Sequence, residues 1–370
     1  MSAPIRLGMV GGGEGAFIGA VHRIAARMDG QFQLIAGALS GDPARARASA
    51  EALGLARSYD DWAAMAKAEA ARPDGIEAVA IVTPNHLHAG PAAAFLASGI
   101  HVICDKPLAA TEEGARQIAE AAGASDARFF LTHNYAAYPM IREARAIMAE
   151  GGIGDLRLVQ VEYLQDWLAS DPGSKQSEWR LDPARAGAGA LGDIGTHAWQ
   201  LAAFVTGQYP SQIAAEVSAL VPGRAVDDDA RVALRYAGGA RGGIWVSQVA
   251  TGCENRLSLR LYGSTGGLEW SHEVPDRLIR THLGQPSQIL TRAQDRSASS
   301  RTPPGHPEGY LEAFANLYSD IAAVIRGDST PAARLPGLAD GLSGMEFIAA
   351  ARRSSEAGGA WVATGTGTAT

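Results

Sequence analysis

Two short, well-separated segments hold residue types that could move a proton and steady charge at a carbon–oxygen bond. Cys104-Asp105-Lys106-Pro107 ends one apolar run, and Gly192-Asp193-Ile194-Gly195-Thr196-His197 opens another. An ammonium at Lys106 can hydrogen-bond a reacting hydroxyl and stabilise the alkoxide that develops as its proton leaves. An imidazole at His197 is suited to taking that proton near neutral pH. Asp193 lies four residues before His197, so a helix beginning near Asp193 presents both on one face. Its carboxylate would then orient substrate hydroxyls or hold the ring. The same spacing also suits an N-capping Asp and a buried structural His. A lysine before proline means nothing until the strand in front of it is placed.

The elements that must position these residues change character along the chain. Apolar strand-like runs at 5–10, 33–39, 78–83, 101–105 and 129–132 alternate with Ala-rich helical stretches at 19–28 and 43–53 and from 111 onward. Asp42-Pro43 reads as an N-cap followed by proline at the first helical position. Strands separated by helices at this spacing predict a parallel sheet with helices on both faces. Lys106 then falls just past the carboxyl end of a strand, where such sheets bind ligands. After about residue 150 the strands follow one another, at 156–163, 212–220, 231–236, 243–249 and 257–262, with Gly238-Gly239 as a hairpin turn. A helix at 195–205 stops at Gly207. Residues 275–304 lack periodicity and read as a long surface loop, helices return at 308–326 and 337–353, and a last strand falls at 360–363. The fold class expected is α/β: a Rossmann domain over 1–133, then an α+β domain over 134–356 with a large, mostly antiparallel open sheet, and a tail over 357–370. The helix at 337–353 is expected to pack back on the first domain. Lys106 belongs to one domain and Asp193 and His197 to the other, so the expected site needs both.

Val10-Gly11-Gly12-Gly13 sits between the first strand and the first helix, the context that gives a glycine cluster meaning. Gly11 permits the tight turn, Gly13 lets the backbone approach a pyrophosphate, and the helix N-terminus offers N–H groups and positive dipole to the phosphates. The usual third glycine position holds Ala16, and Gly19 reads as that glycine displaced by a longer loop. At the end of the second strand Ser40 stands where an acidic residue usually holds the adenosine ribose. Arg45 follows in the next helix. A hydroxyl with a guanidinium can accept a 2′-phosphate, which points to NADP(H) and leaves NAD(H) open.

Composition bounds the rest. At 370 residues, 46% hydrophobic and 19% charged, the chain can build two cores. Net charge −7 and pI near 5.7 argue against a nucleic-acid surface. No apolar run reaches membrane-spanning length, and the N-terminal residues lack the pattern of a signal peptide. Only Cys104 and Cys253 are present, which suits reduced thiols in a cytoplasm. No CxxC or HExxH spacing occurs, so no zinc is expected, and Asp227-Asp228-Asp229 reads as a solvated turn.

In order along the chain, the Gly11–Gly19 turn with His22, Thr83-Pro84-Asn85 with His88, Asp105-Lys106-Pro107, Trp179-Arg180, Gly192 to His197 and Gly263-Ser264-Thr265-Gly266-Gly267 resemble the Gfo/Idh/MocA oxidoreductases (glucose-fructose oxidoreductase, inositol dehydrogenase and relatives). The resemblance covers nearly the whole chain. It departs in the longer glycine loop and in Asp-Lys-Pro where Glu-Lys-Pro is common. It implies an NAD(P)-dependent dehydrogenase or reductase acting on a secondary alcohol of a sugar, polyol or glycoside, and a homo-oligomer, dimer or tetramer, built through the open sheet. Lys106, Asp193 and His197 are then the catalytic residues, and no metal, membrane or nucleic acid takes part. Thr83, Pro84, Asn85, His88, Asp105, Lys106 and Asn134 join Gly11, Gly13, Gly19, Ser40 and Arg45 around the cofactor. Trp167, Trp179, Arg180 and His306 join Lys106, Asp193 and His197 around the carbohydrate, since an aromatic face suits a pyranose ring. The same residues also serve two other readings. One is an NAD-dependent glycoside hydrolase working by transient oxidation and elimination; the other is a non-catalytic cofactor-binding regulator.

Overall fold

The computed structural model describes residues 3–294, 296 and 299–365. They divide into two compact units. The first comprises the residues up to Asn134 with Tyr310–Leu342, and the second Tyr135–Gly309 with the residues from Ser343 on.

In the first unit, strands β1 (Ile5–Gly11), β2 (Phe32–Ala38), β3 (Arg57–Ser58), β4 (Ala78–Val82), β5 (His101–Cys104) and β6 (Phe129–Leu131) form one parallel sheet in the order β3-β2-β1-β4-β5-β6. Helices α1 (Phe17–Met28), α2 (Pro43–Ala52), α3 (Trp62–Ala70), α4 (Ala89–Ala97) and α5 (Glu112–Gly123) make the crossovers. The order reverses between β1 and β4, the switch point of a Rossmann sheet. Helices cover both faces, so the central strands are apolar throughout: Leu7, Met9, Val79, Ile81, Val102 and Ile103 are fully buried. Asp42 caps α2 as expected, its Oδ1 accepting from Arg45 N at 2.9 Å, and Thr111 caps α5 in the same way.

The expected second domain runs over 134–356, whereas Asn134 and Tyr310–Leu342 fall in the first unit. Helix α10, over Tyr310–Ile325, packs along α1. Its Tyr318 and Phe314 rings meet His22, and Tyr318 also meets Phe32. Helical periodicity shows that α10 has an apolar face but not which distant helix covers it.

The second unit holds helix α6 (Pro139–Ala149), strand β7 (Leu156–Leu164), short helices α7 (Lys175–Arg180) and α8 (Pro183–Ala186), helix α9 (Thr196–Thr206), and strands β8 (Gln212–Ser218), β9 (Asp229–Arg235), β10 (Arg241–Ser247) and β11 (Arg256–Gly263). Strands β12 (Gly266–Ser271), β13 (Arg277–His282) and β14 (Gln288–Thr291) follow, then the part of α11 (Leu338–Glu356) from Ser343 on, and β15 (Val362–Ala363). The sheet runs β14-β13-β12-β11-β7-β10-β9-β8-β15, antiparallel except where β7 and β10 lie parallel. Gly239, at φ +92°, turns the β9–β10 hairpin. Alternation along β7 sends Val159, Val161 and Tyr163 into the core beneath α9 and leaves Leu158 half exposed on the other face.

The expectation of a surface loop over 275–304 is corrected by β13 and β14, a hairpin through Gly284 at the sheet edge. Arg277, Arg280 and Gln288 among their few apolar residues blunt an edge against further pairing, and they also erase the period-two signal.

Candidate active site

The first unit gathers its expected residues along one edge of its sheet. Gly11 is the last residue of β1, Ser40 lies two beyond β2, Thr83 one beyond β4, Lys106 two beyond β5 and Asn134 three beyond β6. All five therefore stand at the carboxyl ends of parallel strands, where the helix N-termini and strand ends leave a crevice.

Gly11 and Gly12 take φ of +76° and +73°, a region that L side chains rarely enter. A Cβ on Gly19 would fall 2.4 Å from Gly12 Cα, so helix α1 packs against the glycine turn with no room for a side chain. That is the service expected of a third glycine, and Gly12, which the sequence does not single out, is its partner. Gly13 closes on the next strand, its N–H donating to Leu39 O at 3.1 Å. The Arg23 guanidinium donates to the Gly12 carbonyl. No side chain caps α1 and no acidic residue sits in its first turn. An uncapped helix start, a backbone cradle that a Cβ would fill, and the buried Asn134 Nδ2 without a hydrogen-bond partner fit a dinucleotide. Past β2, Ser40 Oγ accepts from Asp42 N at 3.1 Å and Arg45 stands exposed in the first turn of α2.

Lys106 sits among groups whose charges are fixed. Burial alone would raise the Asp105 pKa. The facing His22 ring (Nε2 to Oδ1 4.0 Å), the Lys106 ammonium and His88 outweigh it and hold the carboxylate at about 2. Thr132 Oγ1 donates to the same oxygen at 2.9 Å, and Tyr318 OH lies 2.9 Å from His22 Nδ1. Burial, with Lys106 nearby, pushes His133 down to about 3. Asp105 thus stays ionised and His133 neutral near pH 7. His88, expected beside the cofactor, is fully buried, with its ring nitrogens 2.9 Å from the Thr83 and Pro107 carbonyls. It ties the loop after β4 to the cis Lys106-Pro107 segment instead of facing outward. Asn85 is also buried, in the turn that follows Pro84. Cys104 is fully buried and its thiol is pushed up by burial, which makes it a packing residue.

The second unit gathers Trp167, Trp179, Arg180, Asp193 and His197. Asp193 lies in a turn of π-helix, Leu191–Gly195, that runs into α9, so it is one element earlier than the helix start expected of it. Single π turns recur at functional sites because they re-aim a side chain. Arg180 Nε lies 3.4 Å from Asp193 Oδ2, and its guanidinium covers the Trp179 ring at 4.3 Å and the Trp167 ring at 5.9 Å. Gln248 Nε2 donates to Asp193 Oδ2 at 2.9 Å. His197 is buried with the Tyr135 ring edge-on at 4.9 Å. Burial raises the Tyr135 pKa, its hydrogen bonds with Tyr163 and Asn255 oppose that, and the Asp193 charge adds to it. His306 stands elsewhere, exposed on the loop before α10, its Nδ1 3.3 Å from Pro303 O and its carbonyl taken by Arg292.

The acidic triplet is not the solvated turn expected of it. Asp227 accepts from Gly189 N at 2.9 Å and Leu191 N at 2.7 Å, and so caps the π turn that carries Asp193. Asp228, 1% exposed, accepts from Leu220 N, Val221 N and Arg224, and Asp229 accepts from Trp245 Nε1. A Cβ on Gly189 would fall 1.8 Å from Asp227 O, so this approach needs glycine. Three adjacent acids look solvated in sequence; Arg224 is a local partner, but others lie up to 38 residues away. Among the described residues no group of three or more His, Cys, Asp or Glu could hold a metal ion, and no helix is long and apolar enough to cross a membrane.

Residues 5–133 match the family model described as oxidoreductase family, NAD-binding Rossmann fold, and residues 141–269 match the GFO/IDH/MocA C-terminal domain. The Bacillus subtilis (strain 168) protein named uncharacterized oxidoreductase YfiI is 34% identical over 98% of this chain and 97% of its own. The crystal structure of an oxidoreductase from Sinorhizobium meliloti superposes with a TM-score of 0.89 at 49% identity, over 98% of this chain and all of that one. An inositol dehydrogenase homolog from Azotobacter vinelandii, complexed with NADH and myo-inositol, gives 0.91 at 35% identity over 98% of both chains.

Proposed function

The chain belongs to the Gfo/Idh/MocA oxidoreductase family, and from that premise we propose that it oxidises a secondary alcohol of a polyol or sugar, reversibly, with NAD(H) or NADP(H). The observation that supports this most is the Asp193 cluster: a carboxylate held by Gln248 and Arg180, two tryptophan rings near that arginine, and a buried imidazole four residues on, in the helix that the π turn runs into. Carboxylate and guanidinium bind vicinal hydroxyls, indole faces suit the C–H face of a ring, and the imidazole takes the hydroxyl proton.

Gly11, Gly12, Gly13, Gly19 and Asn134 would hold the cofactor, with Thr83, Pro84 and Asn85 at the nicotinamide side. When bound, the nicotinamide supplies the acceptor for the hydrogen on the alcohol carbon. Lys106 donates to the alcohol oxygen and stabilises the charge that develops there. His197 removes the hydroxyl proton, and Asp193 orients the neighbouring hydroxyls. Asp105 and His133 exchange no proton near neutral pH, since both lie far from it in pKa.

Ser40 and Arg45 decide between the cofactors. A panel of polyols, sugars and glycosides, assayed with NAD and NADP for reduced cofactor and for product, tests the function. Stoichiometric reduced cofactor with a polyol or sugar is expected. Arg45→Ala should raise the KM for NADP and leave that for NAD unchanged; an unchanged NADP KM removes Arg45 from cofactor choice.

The open face of the second sheet carries the half-exposed Leu158, Tyr262 and Ile289, and shallow concavities of about 440 and 330 Å³ lined by Leu158, Arg241 and Tyr262 and by Arg157, Tyr262 and Leu283. These hollows contain none of the chemistry-bearing residues. We assign the face to self-association into a dimer or tetramer, as exposed apolar area of this kind favours. Sedimentation should show an oligomer that Tyr262→Asp weakens; a monomeric wild type contradicts it.

A further inference from the structure

Asp193 and His197 are joined through a row of side-chain amides. In the mixed sheet, Leu164 at the end of β7 pairs with Ser247 at the end of β10 and with Arg256 at the start of β11. The next residues out, Gln165, Gln248 and Asn255, therefore stand side by side. Gln165 N donates to Ser247 O at 2.8 Å, and Gln248 N to Asp228 O at 2.8 Å, which fixes the backbone beneath them.

The direction of the row follows from its two ends. An ionised carboxylate only accepts, so Gln248 turns its Nε2 to Asp193 Oδ2 at 2.9 Å. An indole only donates, so Trp167 Nε1 meets Gln165 Oε1 at 3.0 Å. Each requirement independently gives Gln165 Oε1 as the acceptor, and Gln248 Nε2 lies 3.5 Å from it. Gln165 Nε2 must then donate to Asn255 Oδ1, at 2.7 Å, and Asn255 Nδ2 to Tyr135 OH, at 3.4 Å. Tyr135 shares a 2.6 Å bond with Tyr163 OH and sets its ring edge-on against His197 at 4.9 Å. Asp193 at one end thus sets the orientation of every amide up to the ring beside His197.

On the premise, proposed above, that Asp193 and His197 act on the alcohol, we propose that Gln248 is a positioning residue, and that Gln248, Gln165, Asn255 and Tyr135 hold the carboxylate and the imidazole as one unit. Removing a hydrogen bond to a charged group shifts an equilibrium about tenfold or more.

The test uses the full chain with the alcohol that the panel identifies. Gln248→Leu should lower kcat about tenfold or more, leave the NAD dissociation constant within about twofold and the Tm near wild type, and show Asp193 displaced in a crystal structure. Gln248→Glu should move the acid limb of the pH–rate profile upward, because a second carboxylate against Asp193 favours a shared proton; Arg180 and Tyr135 also lie near Asp193, and His197 follows it by four residues. Should Gln248→Leu fail to fold, Gln165→Glu makes the same test, keeping the acceptor for Trp167 while removing the donor to Asn255, and should also lower kcat. Wild-type kcat and pH profile in Gln248→Leu or Gln165→Glu, in an enzyme that His197→Ala inactivates, overturn the positioning role and leave the alcohol chemistry standing. Full activity in both His197→Ala and Asp193→Asn overturns the premise and the positioning role together.

Discussion

Lys106→Ala and His197→Ala should each lower kcat/KM for the alcohol at least about a hundredfold, with the cofactor still bound. The two losses have different origins. Lys106 stands two residues past β5 beside an Asp105 carboxylate held at about 2, so a fixed negative charge faces the ammonium at every pH the enzyme meets. Its removal takes away the donor that steadies a developing alkoxide, and Lys106→Arg, with a planar and bulkier fork, should restore little of it. His197 is buried in the first turn of α9 with the Tyr135 ring against it. Its replacement removes the proton acceptor. Kinetic constants from initial rates, with cofactor affinity from fluorescence titration, check both. Near-wild-type turnover in the pair would remove both residues from the chemistry.

The second large effect is expected at Gly19. A Cβ there meets Gly12 backbone, Cα at 2.4 Å and O at 2.7 Å, and backbone cannot swing aside as a side chain can. Gly19→Ala should therefore push α1 away from the glycine turn. Overpacking of this kind costs about 1–3 kcal/mol, and the displaced helix start should weaken NAD binding more than about tenfold. Gly41→Ala makes the control, since nothing lies within 4 Å of its Cβ and its φ is ordinary. Denaturant midpoints and cofactor titration of the two variants read the difference. Equal cofactor affinity in Gly19→Ala and wild type would show that the Gly12–Gly19 contact does not shape the cofactor turn.

Much of the first unit is legible from local signals. Strand–helix alternation, the Asp42 cap and the glycine cluster each act within a few residues, and each appears in the structure where the sequence puts it. Lys106 could be placed because a strand end is a local event. The second unit is less legible because its logic is long-range. Asp227 reads as surface acid until Gly189 and Leu191, 38 and 36 residues earlier, are brought to it. Gln165, Gln248 and Asn255 carry no motif; they become neighbours only because β7 pairs parallel with β10 and antiparallel with β11. His88 shows the opposite limit: its motif was visible, but only its complete burial between two carbonyls shows that it pins loops. The edge hairpin β13–β14 was hidden by the charges that protect it.

The most direct measurement follows the hydrogen on the alcohol carbon. A polyol or sugar substrate carrying deuterium at that carbon is turned over once, and the label is traced by mass spectrometry. The account predicts one deuterium per turnover in the reduced cofactor, a ketone product, and transfer of the label slowed at least about a hundredfold with Lys106→Ala or His197→Ala. Cleavage of a labelled glycoside with the deuterium returned to the product and no reduced cofactor accumulating would contradict it.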